Sequence, residues 1–206
     1  MLILGLTGSI AMGKSAAARL LKRRGIPVHD SDAAVHAARS PGGAAVAAVT
    51  AAFPECRRGD GIDRQILGRL VFDDTPALRR LEALRPPLAR RATIRFLAAA
   101  ARRRCRIVVL DIPLLFEIGA DRQVDAVLVV SAPDWLQRSR ALRRPGMTPE
   151  KFASILARQV PDLVKRRRAD HVVTTALGFA PTGRGLAATL RALAPRRARR
   201  WKPGWR

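Results

Sequence analysis

Residues 2–25 read LILGLTGSIAMGKSAAARLLKRRG. An apolar run, Leu2–Thr7, stops at Gly8, the stretch Gly8-Ser9-Ile10-Ala11-Met12-Gly13-Lys14-Ser15 follows, and an Ala-, Leu- and Arg-rich segment of helical character runs on to Gly25. This is the order strand, G-x-x-x-x-G-K-S loop, helix, the context in which that motif cradles phosphate. Successive backbone N–H groups and the positive end of the following helix surround an anion. Lys14 neutralises β- and γ-phosphate oxygens, and the Ser15 hydroxyl is placed to ligate Mg²⁺. Two residues sit awkwardly. Ala11 and Met12 stand where small, flexible residues are expected, and an alanine Cβ costs about 1 kcal/mol or more wherever the loop needs a positive φ.

Outward from that stretch, the chain alternates short aliphatic runs with longer helical patterns, which predicts an α/β fold with a parallel sheet flanked by helices. The core strands expected are Leu2–Thr7, Ile26–His29, Ile107–Ile112, Ala126–Val130 and His171–Thr174, each bounded by Gly, Pro, Asp or Ser. Between the second and third no comparable strand signal appears, and Gly43–Phe53, Asp63–Phe72 and Pro76–Ala101 are of helical character, with Ile66, Leu67, Leu70 and Val71, and then Leu78, Leu81, Leu84 and Leu88, at helical spacing. The expected organisation is one domain over residues 1–195. Its core spans about 1–40 and 105–195, an inserted helical subdomain about 41–104, and a basic lid about 138–168, in which Thr148 N-caps a helix with Glu150 in its first turn; residues 196–206 form a frayed basic tail.

Lys and Arg number 39 against 16 Asp and Glu, a formal net charge of +23, and hydrophobic residues make up 48% of the chain with no Tyr, so the core rests on Ala, Leu, Val and Ile. The charge suits phosphate-bearing partners. The basic clusters Arg102–Arg104 and Arg166–Arg168 lack interleaved aromatics, which argues against nucleic acid as the partner. Cys56 and Cys105 are far apart without a nearby His or second Cys, so neither metal site nor disulfide is expected, and a reducing cytoplasm fits. No stretch has a signal-peptide pattern or membrane-spanning length. His29, His36 and His171 show no ligand spacing, and Trp135 reads as a helix-face contact.

Acids recur at strand ends. Asp30 and Asp32 in VHDSDAAVH follow the second strand, at the edge where doubly wound sheets place ligands. An Asp there accepts a proton from an attacking hydroxyl or holds Mg²⁺ through water, while one of the two caps the helix starting at Ala33. Asp111 ends the third strand and opens DIPLLFE, the position of a strand-terminal Asp that supports Mg²⁺.

With these pieces in order, the sequence resembles the dephospho-CoA kinase family over about residues 2–174. The resemblance rests on GLTGSIAMGKS, VHDSDAAVH, IDRQILGRLVF, DIPLLFE, the arginines of QRSRALRRPGMT, and LARQVPDLVKRRRADHVV. It implies a phosphate-loop kinase core with a helical CoA-binding subdomain and a lid, acting with ATP and Mg²⁺ on the ribose 3′-hydroxyl of dephospho-CoA. By resemblance, Gly8 and Ala11 through Ala16 (Met12, Gly13, Lys14 and Ser15 between them) wrap the ATP phosphates, Asp30 is the general base and Asp32 its neighbour. Arg64 and Phe72 contact the acceptor nucleotide; Leu114, Leu115, Phe116 and Glu117 help form the same pocket; and Arg140 and Arg144 are lid arginines that compensate charge on the phosphoryl group. The chain departs from the family pattern at Ala11 (Gly), Ala16 (a hydroxyl residue), Pro86 (His) and Val164 (an acid), and the Asn-containing turn near Thr175 is absent. The alternatives are a kinase with another acceptor and a degenerate homologue that binds nucleotide or nucleic acid without turnover.

Overall fold

The computed structural model describes residues 1–31, 33–34, 46–72, 74, 76–77, 80–81 and 85–201. The chain divides into two compact units, residues 1–29 with 100–206, and residues 30–99.

The first unit is built on a five-stranded parallel sheet with strand order β2-β5-β1-β6-β7: β1 (Leu2–Thr7), β2 (Val28–Asp30), β5 (Ile107–Asp111), β6 (Ala126–Ser131) and β7 (His171–Thr174). The register pairs Leu6 of β1 with both Asp111 of β5 and Leu128 of β6, and Ser131 of β6 with Thr174 of β7. The C-terminal ends of β1, β5, β6 and β7 therefore share one edge. All of β1 is buried, as a central parallel strand covered on both faces must be. Leu2, Leu4 and Leu6 point to one face and meet Ala17, Ala18 and Leu21 of α1 (Lys14–Arg23) and Leu186 and Leu193 of α8 (Phe179–Leu193).

Strands β1 and β7 have the expected bounds, and the others shift at their ends. β2 begins at Val28, not Ile26, because the Ile26 amide is spent on Leu21 O at the end of α1, and Pro27, without an N–H, enters only through its carbonyl, which accepts from Val109 N. Arg199 and Arg200 depart from the expected frayed tail: their amides donate to Asp125 Oδ1, and the other oxygen of that carboxylate accepts from Ile3 N.

The second unit contains α2 (Val46–Ala52), α3 (Arg64–Phe72) and most of α4 (Arg85–Arg102). Its core joins Val49, Phe53, Cys56 and Leu67 with Ile66, Leu70, Val71 and Leu81. Leu78 and Leu84, expected on such faces, lie outside the described residues. The all-helical expectation needs correction: Arg57–Arg58 (β3) and Gly61–Ile62 (β4) form an antiparallel hairpin. So short a pair, turning at Gly59-Asp60, offers no alternation that a periodicity reading can find.

Candidate active site

The loop after β1 reaches α1 through Gly13, whose φ of 90° lies in the left-handed region. No side chain caps that helix; the Gly13 carbonyl accepts from the Ala16 and Ala17 amides, and the amides of Lys14 and Ser15 open the helix at the loop. Gly13 has a second constraint: a Cβ there would stand 2.9 Å from Thr175 Oγ1. Gly8 is buried where a Cβ would meet the Val130 carbonyl at 2.6 Å.

Ala11 has φ 61°, so the strain anticipated from its Cβ is present. That Cβ is also buried. Ala11 packs with Ala141 of α5 (Asp134–Leu142) and Phe152 of α6 (Pro149–Ala157), with Ile10, Met147 and Leu156 around them. Met12 is fully buried, and its sulfur accepts from Ala132 N at 3.1 Å. Ile10 is held on both polar groups, its carbonyl accepting from Gln137 Nε2 at 2.8 Å and its amide donating to Gln159 Oε1 at 3.0 Å. The two awkward residues are thus packing residues: Ala11 ties the loop to α5 and α6, and Met12 ties it to the end of β6.

Lys14 and Asp111 meet at this edge, Nζ to Oδ1 at 2.5 Å, because β1 and β5 are paired neighbours ending together. Asp111 is buried and Lys14 partly so, which makes this pair far less screened than one in water. Arg140 of α5 reaches across to the end of β7, where its Nη1 donates to Thr175 Oγ1 at 2.9 Å and its Nη2 to Thr175 O at 2.8 Å. Thr175 Oγ1 in turn donates to Met12 O at 2.8 Å. A buried strand-end hydroxyl thus links a guanidinium to the phosphate loop.

A phosphate loop, a strand-end Asp on its lysine and an arginine tied to the loop are features of many phosphotransferases; the comparison of the whole chain narrows them. The model of the family described as Dephospho-CoA kinase matches residues 2–178.

The chain belongs to the dephospho-CoA kinase family.

A Rhodospirillum rubrum protein named Dephospho-CoA kinase is 52% identical over 206 residues, covering 100% of this chain and 97% of its own. A Novosphingobium aromaticivorans protein of the same name is 51% identical over 191 residues, covering 93% and 94%. Among solved structures, one from Thermus thermophilus superposes with a TM-score of 0.74 at 36% identity, covering 93% of this chain and 97% of its own. The dephospho-CoA kinase of Campylobacter jejuni superposes at 0.65 with 20% identity, covering 94% and 97%, a likeness of fold.

The residues that the family resemblance singles out are placed unevenly. Asp30 ends β2, and its Oδ1 accepts from Ala33 N at 2.9 Å, so of the two acids Asp30 supplies that cap; Asp32 lies outside the described residues. Arg64 and Phe72 open and close α3. Beyond Asp111, Leu114 is exposed, and Phe116 is buried with the Arg168 guanidinium 4.5 Å from its ring centre. Leu115, expected at the acceptor pocket, is instead fully buried in the space beside Gly5, its side chain committed to the sheet. Glu117 likewise turns inward: Oε1 accepts from Val160 N at 2.9 Å and lies 2.8 Å from Nζ of Lys165, a fully buried residue of α7 (Asp162–Arg168). Burial pushes the Glu117 carboxyl up, but the Lys165 ammonium and the amide hydrogen bonds outweigh it and hold it below the usual range. Ser15, Arg144 and Trp135 are exposed, Trp135 contrary to the helix-face contact expected, because it lies on the outer side of the first turn of α5.

Sequence reasoning passed over Thr175, Gln137 and Gln159. All three lie in or beside segments that carry the family resemblance, where the arginines drew the reading. The one available signal for Gln137 is a polar residue in the middle of a helix whose partners are not local.

Proposed function

We propose that the chain transfers the γ-phosphoryl group of ATP to the ribose 3′-hydroxyl of dephospho-CoA, giving CoA and ADP. The observation that carries this reading is the convergence of Gly13, Lys14, Asp111 and Arg140 on one sheet edge in a chain of this family. The loop amides from Ala11 to Ala16 and the N-terminus of α1 bind the phosphates, and Lys14 and Arg140 place positive charge where charge develops as the bond to the β,γ-bridging oxygen breaks. Arg144, exposed on the same segment, adds charge from the solvent side.

Asp30 takes the proton of the 3′-hydroxyl as its oxygen bonds to phosphorus. The Ala33 cap occupies one carboxylate oxygen, and a carboxylate has two. Asp32 is the neighbouring acid, and Arg64, Phe72, Leu114 and Phe116 recognise the acceptor, with Leu115 and Glu117 fixing the backbone of that segment from beneath. Ser15 and Asp111 offer hard oxygen donors of the kind Mg²⁺ takes, and among the described residues no cluster of three or more His, Cys, Asp or Glu provides another metal site. These two would hold the ion, which when bound screens the phosphate oxygens. Among the described residues no helix is long and apolar enough to cross a membrane.

Coupled measurement of ADP release with ATP, Mg²⁺ and dephospho-CoA, with mass detection of 3′-phosphorylated product, tests the proposal. Turnover is expected, with loss of at least about a hundredfold in Lys14→Ala. Protein that binds both ligands yet turns over no faster than Lys14→Ala would sink it, and turnover only with a different acceptor would reassign the substrate.

A further inference from the structure

Thr175 sits just past β7, buried, with every polar group it owns engaged. Its amide donates to Ser131 O at 2.9 Å, which fixes it to the end of β6. Its hydroxyl proton goes to Met12 O, so the lone pairs of the same oxygen face Arg140, which donates to it and to the Thr175 carbonyl through two nitrogens of one planar group. A guanidinium gripped at two points by one residue is fixed in orientation as well as position. The methyl Cγ2 stands 3.0 Å from where a Cβ on Gly13 would be, so the side chain also closes over the left-handed residue of the loop.

We propose that Thr175 is a positioning residue for phosphoryl transfer, whose hydroxyl sets the spacing between the Arg140 guanidinium and the Met12–Gly13 peptide of the phosphate loop. Arginine left to itself spreads over many rotamers, and ordering it during the reaction would be paid in rate. Anchored through Thr175, its charge and the loop amides act on the phosphates as one preorganised set. The inference rests on the reading of Arg140 as a group that stabilises the transferring phosphoryl.

The test is a double-mutant cycle on the full chain with Thr175→Val, which keeps the shape and removes the hydroxyl, Thr175→Ser, which keeps the hydroxyl, and Arg140→Lys. Steady-state kinetics and melting curves are recorded for each. Thr175→Val is expected to lower kcat about tenfold with the KM for dephospho-CoA unchanged, and Thr175→Ser to restore it to within about threefold. In the Arg140→Lys background, Thr175→Val should change kcat by less than about twofold, since the partner it positions is already altered.

Wild-type kcat in Thr175→Val, or the same loss in both backgrounds, overturns the proposal, because a merely structural threonine would act independently of Arg140. If Arg140→Lys keeps wild-type kcat, a positive charge alone suffices there and this proposal fails while the charge role of Arg140 stands; if Arg140→Met keeps it too, the charge role fails as well; and if Arg140→Lys is impaired and Thr175→Val is not, only this proposal fails. Should Thr175→Val melt below the assay temperature, Thr175→Ala, which also removes the hydroxyl, carries the same cycle with the same outcomes.

Discussion

Ala11 shows at the scale of one residue how a departure from a motif is absorbed. Its left-handed backbone costs about 1 kcal/mol, and burying its methyl against Ala141 and Phe152 returns about 0.8 kcal/mol. Ala11→Gly should therefore change stability by less than about 1 kcal/mol, read as the midpoint of urea unfolding. If the strained alanine holds the loop off its best geometry, the same variant turns over faster; an unchanged kcat would show that packing has already absorbed the cost. Gly13 has no such latitude. Gly13→Ala meets both the positive φ and Thr175, so ATP binding measured by calorimetry should fall by at least about tenfold.

Among the elements, α7 is held by a buried charge. Lys165 is fully buried and its partner Glu117 nearly so, and removing one member of such a pair costs about 3–5 kcal/mol because the other charge is stranded. Lys165→Met should show a loss of that size in urea unfolding, and Lys165→Met with Glu117→Leu should recover most of it. The pair also sets a pH dependence. The folded pKa of Glu117 lies below its unfolded value of about 4.3, so its stabilisation is present above that value and lost as pH falls through the folded pKa. Thermal melts of Glu117→Gln across the acid range should therefore fall less steeply with decreasing pH than those of the wild type. The cap on α6 was legible from Thr148-Pro149-Glu150 alone, since its determinants are local: Thr148 Oγ1 accepts from Lys151 N, and Thr148→Ala should cost about 1 kcal/mol.

At the level of the whole molecule, parallel pairing brings the ends of β1, β5, β6 and β7 to one edge, and that edge gathers Lys14, Asp111, Ser131 and Thr175 from four separate stretches of chain. The opposite edge is tied by Asp125, which accepts from Ile3, Arg199 and Arg200 amides; Asp125→Ala should lower the melting temperature, and truncation before Arg199 should reproduce part of that loss. The sequence by itself determined the strand, loop and helix at the N-terminus, the parallel α/β class, the helix faces around Ile66–Val71, Lys14 in the phosphate loop and Asp111 at a strand end, because each rests on short-range periodicity, turn chemistry or a motif of fixed spacing. Only the tertiary structure decided that Ala11 and Met12 are packing residues, that Leu115 and Glu117 face inward, and that Thr175 joins Arg140 to the loop. Those outcomes depend on partners up to 163 residues apart in the chain, as Met12 and Thr175 are, and no local pattern encodes which side chain a buried polar group will meet.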